Sequence, residues 1–138
     1  MDVKSEFLNG CISEEVYVHQ RPGFENSKLP EHIFKLKKSL YGLKQAPRAW
    51  YERHSSFLLE NDFIRGKVDS TLFCKNIRND LMICQIYVDD IIFGSTNPSV
   101  CQEFSELMQA KFEISLMQEV KFFLGIQINQ TSEATYVY

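Results

Sequence analysis

The spacing of hydrophobic positions changes several times along this chain, and each change marks an element. Residues 15–19, Glu-Val-Tyr-Val-His, and residues 33–37, Ile-Phe-Lys-Leu-Lys, alternate with a period near two and predict strands. Between them Pro22, Gly23, Asn26 and Pro30 predict a loop. Over residues 46–61 the apolar positions Ala46, Ala49, Trp50, Phe57 and Leu58 fall mostly on one face of a helix, and Pro47 suits its first turn. Residues 71–75 are strand-like. Residues 81–86 and 91–93 are apolar runs joined by Tyr87-Val88-Asp89-Asp90. Asn97 and Pro98 read as the N-cap and first residue of a second helix, with Val100, Phe104, Leu107, Met108 and Phe112 as its apolar stripe. Residues 121–129 predict a strand interrupted by Gly125, and residues 135–138 the start of another. Residues 3–10 are short and mixed and end in the turn signal Asn9-Gly10. Mixed strands and helices with hairpin-length links predict an α+β fold, and 138 residues predict one domain.

With 44% hydrophobic and 13% aromatic residues, the chain has the apolar surface to offset its ordering entropy, which excludes disorder as its main state. No run of about 18 apolar residues exists, so no transmembrane helix is predicted. No basic segment precedes an apolar one at the start, so no secretory signal is predicted. The expected setting is the reducing cytoplasm or nucleus. There Cys11, Cys74, Cys84 and Cys101 remain thiols, and neither they nor His19, His32 and His54 have metal-ligand spacing.

The net charge of −3 gives no global case for a polyanionic partner. The charge is unevenly spread, however. Residues 35–53 hold Lys35, Lys37, Lys38, Lys44, Arg48 and Arg53 against Glu52 alone, with Tyr41, Trp50 and Tyr51 among them. An ordinary basic face with Trp50 in the core has this composition, and so does a surface that tracks phosphates.

Asp89-Asp90 is the most informative pair. A buried strand pair with a tight turn puts both carboxylates at a hairpin tip, where solvent exposure is the plain explanation. Such turns favour glycine because positive φ is needed, and this one has none. Like charges held together repel unless a cation is present, and magnesium takes hard oxygen ligands of this kind. Asp2 lies far upstream among Met1, Val3, Phe7 and Leu8, which suggest burial nearby. Carboxylates from different strands bridging two metal ions are a standard apparatus for nucleotidyl transfer. As the second residue, Asp2 frays unless a sheet holds it.

The blocks Met1-Asp2-Val3-Lys4 with Phe7-Leu8-Asn9-Gly10, Glu15-Val16-Tyr17-Val18 with Gln20-Arg21-Pro22-Gly23-Phe24, and Tyr87-Val88-Asp89-Asp90 resemble those of copia-type (pseudoviral) retrotransposon reverse transcriptases. Leu36-Lys37-Lys38-Ser39-Leu40-Tyr41-Gly42-Leu43-Lys44-Gln45-Ala46-Pro47-Arg48-Ala49-Trp50-Tyr51 is close to that family's signature stretch. Phe122-Phe123-Leu124-Gly125-Ile126 is similar to its primer grip.

The resemblance implies a palm-like antiparallel sheet with helices packed on one face, incomplete at both ends, and a palm with part of the fingers over residues 1–138. It implies RNA-directed DNA synthesis with two Mg2+ ions on an RNA template and DNA primer, consuming deoxynucleoside triphosphates. Asp2, Asp89 and Asp90 would be the magnesium carboxylates, with the Val3 carbonyl as a further ligand. Phe7 would be the aromatic gate against a 2′-hydroxyl. Lys44 lies in the block that contacts the nucleotide. Lys37, Lys38 and Arg48 would contact nucleic acid, and Leu124 and Gly125 the primer terminus.

Two departures stand out. Glu6 occupies a position where the family usually has a small residue; it would repel a triphosphate or point to solvent. Ser115-Leu116-Met117-Gln118 replaces a run that usually contains glycine. Because the chain starts at Asp2 and no thumb follows Tyr138, the isolated chain is expected to be inactive as a polymerase. A noncatalytic remnant that binds nucleic acid or a partner protein is the alternative reading. A nucleotide cyclase with a palm-like core is a third, and the signature stretch argues against it.

Overall fold

The computed structural model of the chain describes residues 1–115, 120–131 and 133–138. In order it runs through β1 (Asp2–Val3), a 3-10 turn (Glu6–Asn9), β2 (Tyr17–Val18), β3 (Phe34–Lys35), α1 (Ala46–Glu60), β4 (Ile64–Arg65), β5 (Leu72–Ile77), β6 (Asp80–Tyr87) and β7 (Asp90–Ser95). It continues through α2 (Pro98–Lys111), β8 (Ile114–Ser115), β9 (Phe122–Phe123), β10 (Ile126–Gln130) and β11 (Thr135–Val137). The contacts divide the chain into two units, Met1–Lys4 with Phe63–Tyr138, and Ser5–Asp62.

The first unit is built on a six-stranded antiparallel sheet in the order β4-β5-β6-β7-β1-β8. Strand β6 shows why these residues pair. Met82, Cys84 and Ile86 are buried, while Leu81, Ile83 and Tyr87 on the opposite face are exposed. The cross-strand partners Phe73 and Ile91, opposite Cys84 and Ile86, extend the buried layer. Helix α2 packs on this layer through Val100, Phe104 and Met108. The Phe104 ring lies 5.1 Å from that of Phe93 and 5.5 Å from that of Phe63. Asn97 caps α2 as predicted, its side chain accepting the Ser99 N–H at 3.0 Å.

A three-stranded antiparallel sheet, β11-β10-β9, completes the unit. The predicted single strand over residues 121–129 is thus a hairpin. Leu124 and Gly125 both take positive φ, 50° and 81°, the requirement of a two-residue I′ turn. Strands β1, β4 and β8 have two residues each, too few for any period to announce them. Of the departure at Ser115-Leu116-Met117-Gln118, only Ser115 lies within the described residues.

In the second unit, α1 buries Ala46, Ala49, Trp50, His54, Phe57 and Leu58. The predicted strands over residues 15–19 and 33–37 pair over two residues each, Tyr17 opposite Lys35 and Val18 opposite Phe34. Gly10 follows the predicted bend but serves a different purpose. Its φ is −72°, and a Cβ there would stand 2.8 Å from the Ala49 carbonyl carbon and 2.9 Å from the Trp50 nitrogen. Glycine therefore lets the chain pass against α1. His54 lies 5.1 Å from the Trp50 ring, and burial lowers its pKa to about 4, which keeps it neutral.

All four cysteines are free, and burial pushes the Cys84 thiol up to about 12. Among the described residues no helix is long and apolar enough to cross a membrane.

Candidate catalytic carboxylate site

Strand β1 lies between β7 and β8, with Asp2 directly opposite Asp90 on one side and Ser115 on the other. Met1 donates to the Ile91 carbonyl at 2.8 Å and accepts the Ile91 N–H at 3.0 Å. One position on, the Val3 N–H donates to the Asp89 carbonyl at 3.1 Å. The Asp2–Asp90 pair between these bonded positions is the close, non-hydrogen-bonded kind, with both side chains on one face. Asp2 is thus tied into the sheet on both sides. In an antiparallel ladder a residue's N–H and carbonyl face the same neighbour, so the Val3 carbonyl faces the Asp89 turn.

The hairpin tip is Val88-Asp89, and Asp90 is the first residue of β7, one position later than the tip predicted for it. Val88 supplies the positive φ, 51°, that glycine usually provides. A β-branched side chain in this region is strained, and the ladder on both sides of the turn enforces it.

Desolvation raises the Asp90 pKa first, and the neighbouring charges of Asp89 and Asp2 add to the rise. The sheet therefore holds like charges together at one end of the hairpin. Carboxylates and backbone carbonyls are hard oxygen ligands of the kind magnesium takes. Among the described residues, no three acidic, imidazole or thiol side chains are drawn in tightly enough to hold an ion as they stand. The backbone register alone brings Asp2 opposite Asp90.

Leu124 and Gly125 form the turn after Phe123, whose ring lies 6.5 Å from that of Tyr87, so this hairpin touches the residue just before the acidic turn. Phe7, Lys37, Lys38, Lys44 and Arg48 form a separate group in the second unit. Lys44, Gln45, Arg48 and Glu14 line an open cleft of about 390 Å³.

The basic stretch is less positive than its composition suggests. Arg48 pairs with Glu14 and with Glu52 (2.9 Å), and Lys35 pairs with Glu15. Backbone hydrogen bonds and then the Arg48 guanidinium hold the Glu14 carboxyl below its usual range.

Glu6 does not point to solvent. Its carboxylate is buried and accepts the Tyr41 hydroxyl at 2.7 Å. Glu6 stands out in the sequence as out of place, but its partner Tyr41 does not. The oddness of a carboxylate at that position was the available signal.

The chain belongs to the reverse transcriptase (RNA-dependent DNA polymerase) family, which matches residues 1–137. It is 35% identical over 127 residues to the retrovirus-related Pol polyprotein from transposon RE1 of Arabidopsis thaliana, covering 92% of this chain and 9% of that protein. Against the corresponding polyprotein from transposon RE2 of the same plant, identity is 31% over 137 residues, covering 99% and 9%. Against that of transposon TNT 1-94 of Nicotiana tabacum it is 33% over 129 residues, covering 93% and 10%. The chain spans about a tenth of the length of these curated relatives. No solved structure matches it.

Proposed function

We propose that residues 1–138 form the palm and part of the fingers of a reverse transcriptase, with Asp2, Asp89 and Asp90 as its catalytic carboxylates. The observation that carries this reading is the register that sets Asp2 opposite Asp90, one residue from Asp89. Two Mg2+ ions held by these carboxylates and the Val3 carbonyl would supply Lewis acidity for attack of a primer hydroxyl on a deoxynucleoside triphosphate.

The protein's own residues do the positioning. Leu124 and Gly125, in the turn beside Tyr87, hold the primer terminus. Lys44 faces the nucleotide's phosphates. Lys37, Lys38 and Arg48 follow the RNA template and DNA primer through their backbones, a sequence-independent and salt-dependent contact. Phe7 stacks under the sugar and excludes a 2′-hydroxyl.

The test is thermal unfolding against magnesium concentration, because an ion that binds only the folded state raises the midpoint. Wild type should gain stability, while Asp2→Asn and Asp90→Asn should not. Equal response in all three removes the carboxylates from the metal site. Primer extension on an RNA template, compared with Asp89→Asn/Asp90→Asn, reads the chemistry itself.

A further inference from the structure

We infer that Tyr41 and Glu6 are positioning residues that set Phe7 against the sugar, so that discrimination between deoxyribose and ribose depends on the Tyr41–Glu6 hydrogen bond. This inference rests on Phe7 as the sugar gate.

Phe7 lies inside the 3-10 turn Glu6–Asn9, a short element with little strength of its own. The opening of the signature stretch stitches this turn in place. The Ser39 hydroxyl donates to the Phe7 carbonyl, which also accepts the Gly10 N–H at 3.1 Å. The Ser39 N–H donates to the Gly10 carbonyl at 2.9 Å, and Ser39 is fully buried. These bonds fix the backbone of Phe7 but leave its ring to be placed by something else.

Tyr41 meets that ring edge-on, with centroids 5.0 Å apart and an interplanar angle of 65°. Its own backbone is set by a turn in which the Leu43 N–H bonds the Leu40 carbonyl at 3.2 Å. Gly42 takes the positive φ, 87°, that a type II turn needs at its third residue.

Tyr41 is 56% exposed, so packing is a partial restraint on it. Its hydroxyl adds a second restraint, the 2.7 Å bond to the Glu6 carboxylate. Glu6 is a sound anchor because it is only 7% exposed, and a buried carboxylate strongly favours keeping its donor. Glu6 thus acts on Phe7 through Tyr41.

The test measures Kd for the magnesium complexes of deoxyadenosine triphosphate and adenosine triphosphate on the whole chain, and compares the ribo-to-deoxy ratio. Both ligands meet the same folded molecules, so partial unfolding weakens both and leaves the ratio unchanged. Wild type should favour the deoxynucleotide, and Phe7→Ala should bring the ratio toward one. Tyr41→Phe and Glu6→Ala should each lower it about fivefold, with the deoxynucleotide Kd held within about twofold. Glu6→Gln, whose amide oxygen still accepts the hydroxyl, should restore the wild-type ratio. If Phe7→Ala lowers the ratio and Tyr41→Phe does not, the inference is overturned while the gate stands. A ratio unmoved by Phe7→Ala, or a wild type indifferent to the 2′-hydroxyl, overturns the gate and this inference with it.

Discussion

The β6–β7 and β9–β10 hairpins both close in two residues, yet they reach that closure by opposite means. The first puts Val88 at a φ of 51° with no glycine in its turn, while the second uses Leu124-Gly125 at 50° and 81°. Behind the first lie Met82, Cys84, Ile86 and Ile91, all buried. Among the described residues the second has little behind it, since β10 and β11 are exposed along nearly their whole length. A hairpin with a core can hold an unfavourable turn in place, and the strained turn is the one that carries the acidic pair. A hairpin without a core depends on the turn residues themselves.

Truncation of the core should give the widest contrast. Met82→Ala should cost about 3 kcal/mol in urea unfolding, from lost burial and the cavity left behind. Ile126→Ala, on a strand where that side chain is 44% exposed, should cost about 0.5 kcal/mol. Equal losses would mean that both hairpins are held in the same way.

Exchanging turn chemistry should act in opposite directions. Gly125→Val should destabilise by about 1–2 kcal/mol, because it places a branched side chain at left-handed φ. Val88→Gly should stabilise by about 1 kcal/mol, because it relieves that same conflict. Loss of stability in Val88→Gly would show that Val88 is not strained.

The smallest effect concerns charge. The folded state raises the Asp90 pKa, so its ionised form is disfavoured by folding. Stability from this group is present at low pH and falls as pH rises through the carboxylate range, from about 4 upward. Asp90→Asn should therefore be the more stable protein at neutral pH, by about 0.5 kcal/mol. The gap should vanish near pH 3 and narrow when magnesium is added. A gap that widens on acidification reverses the assignment.

The better-buried hairpin was also the more legible in the sequence. The apolar runs over residues 81–86 and 91–93 report a buried strand pair, and the acidic pair with no glycine reports a turn under constraint. The exposed hairpin has no such record, since its residues face solvent on both sides, and Gly125 read as an interruption. β1 was invisible as a strand because two residues carry no period, although Asp2 stood out through the family's motif. The basic stretch was overestimated because a composition window beginning at residue 35 does not contain Glu14 and Glu15, which pair with Arg48 and Lys35. Glu6 was legible as an anomaly and illegible in its resolution, because its partner Tyr41 lies 35 positions away.

Strand β1 also carries a kinetic consequence. The rest of its unit begins at Phe63, so the strand between β7 and β8 is supplied from across a long intervening stretch of chain. The β5–β6 and β6–β7 hairpins join neighbours in sequence, whereas β1 meets Asp90 and Ser115 only after a large loop has closed. Loop closure costs entropy before its contacts repay it, and contacts of high sequence separation slow folding. The acidic turn is therefore expected to form before Asp2 joins it in refolding. On that order two carboxylates would stand on a finished hairpin before β1 brings the third.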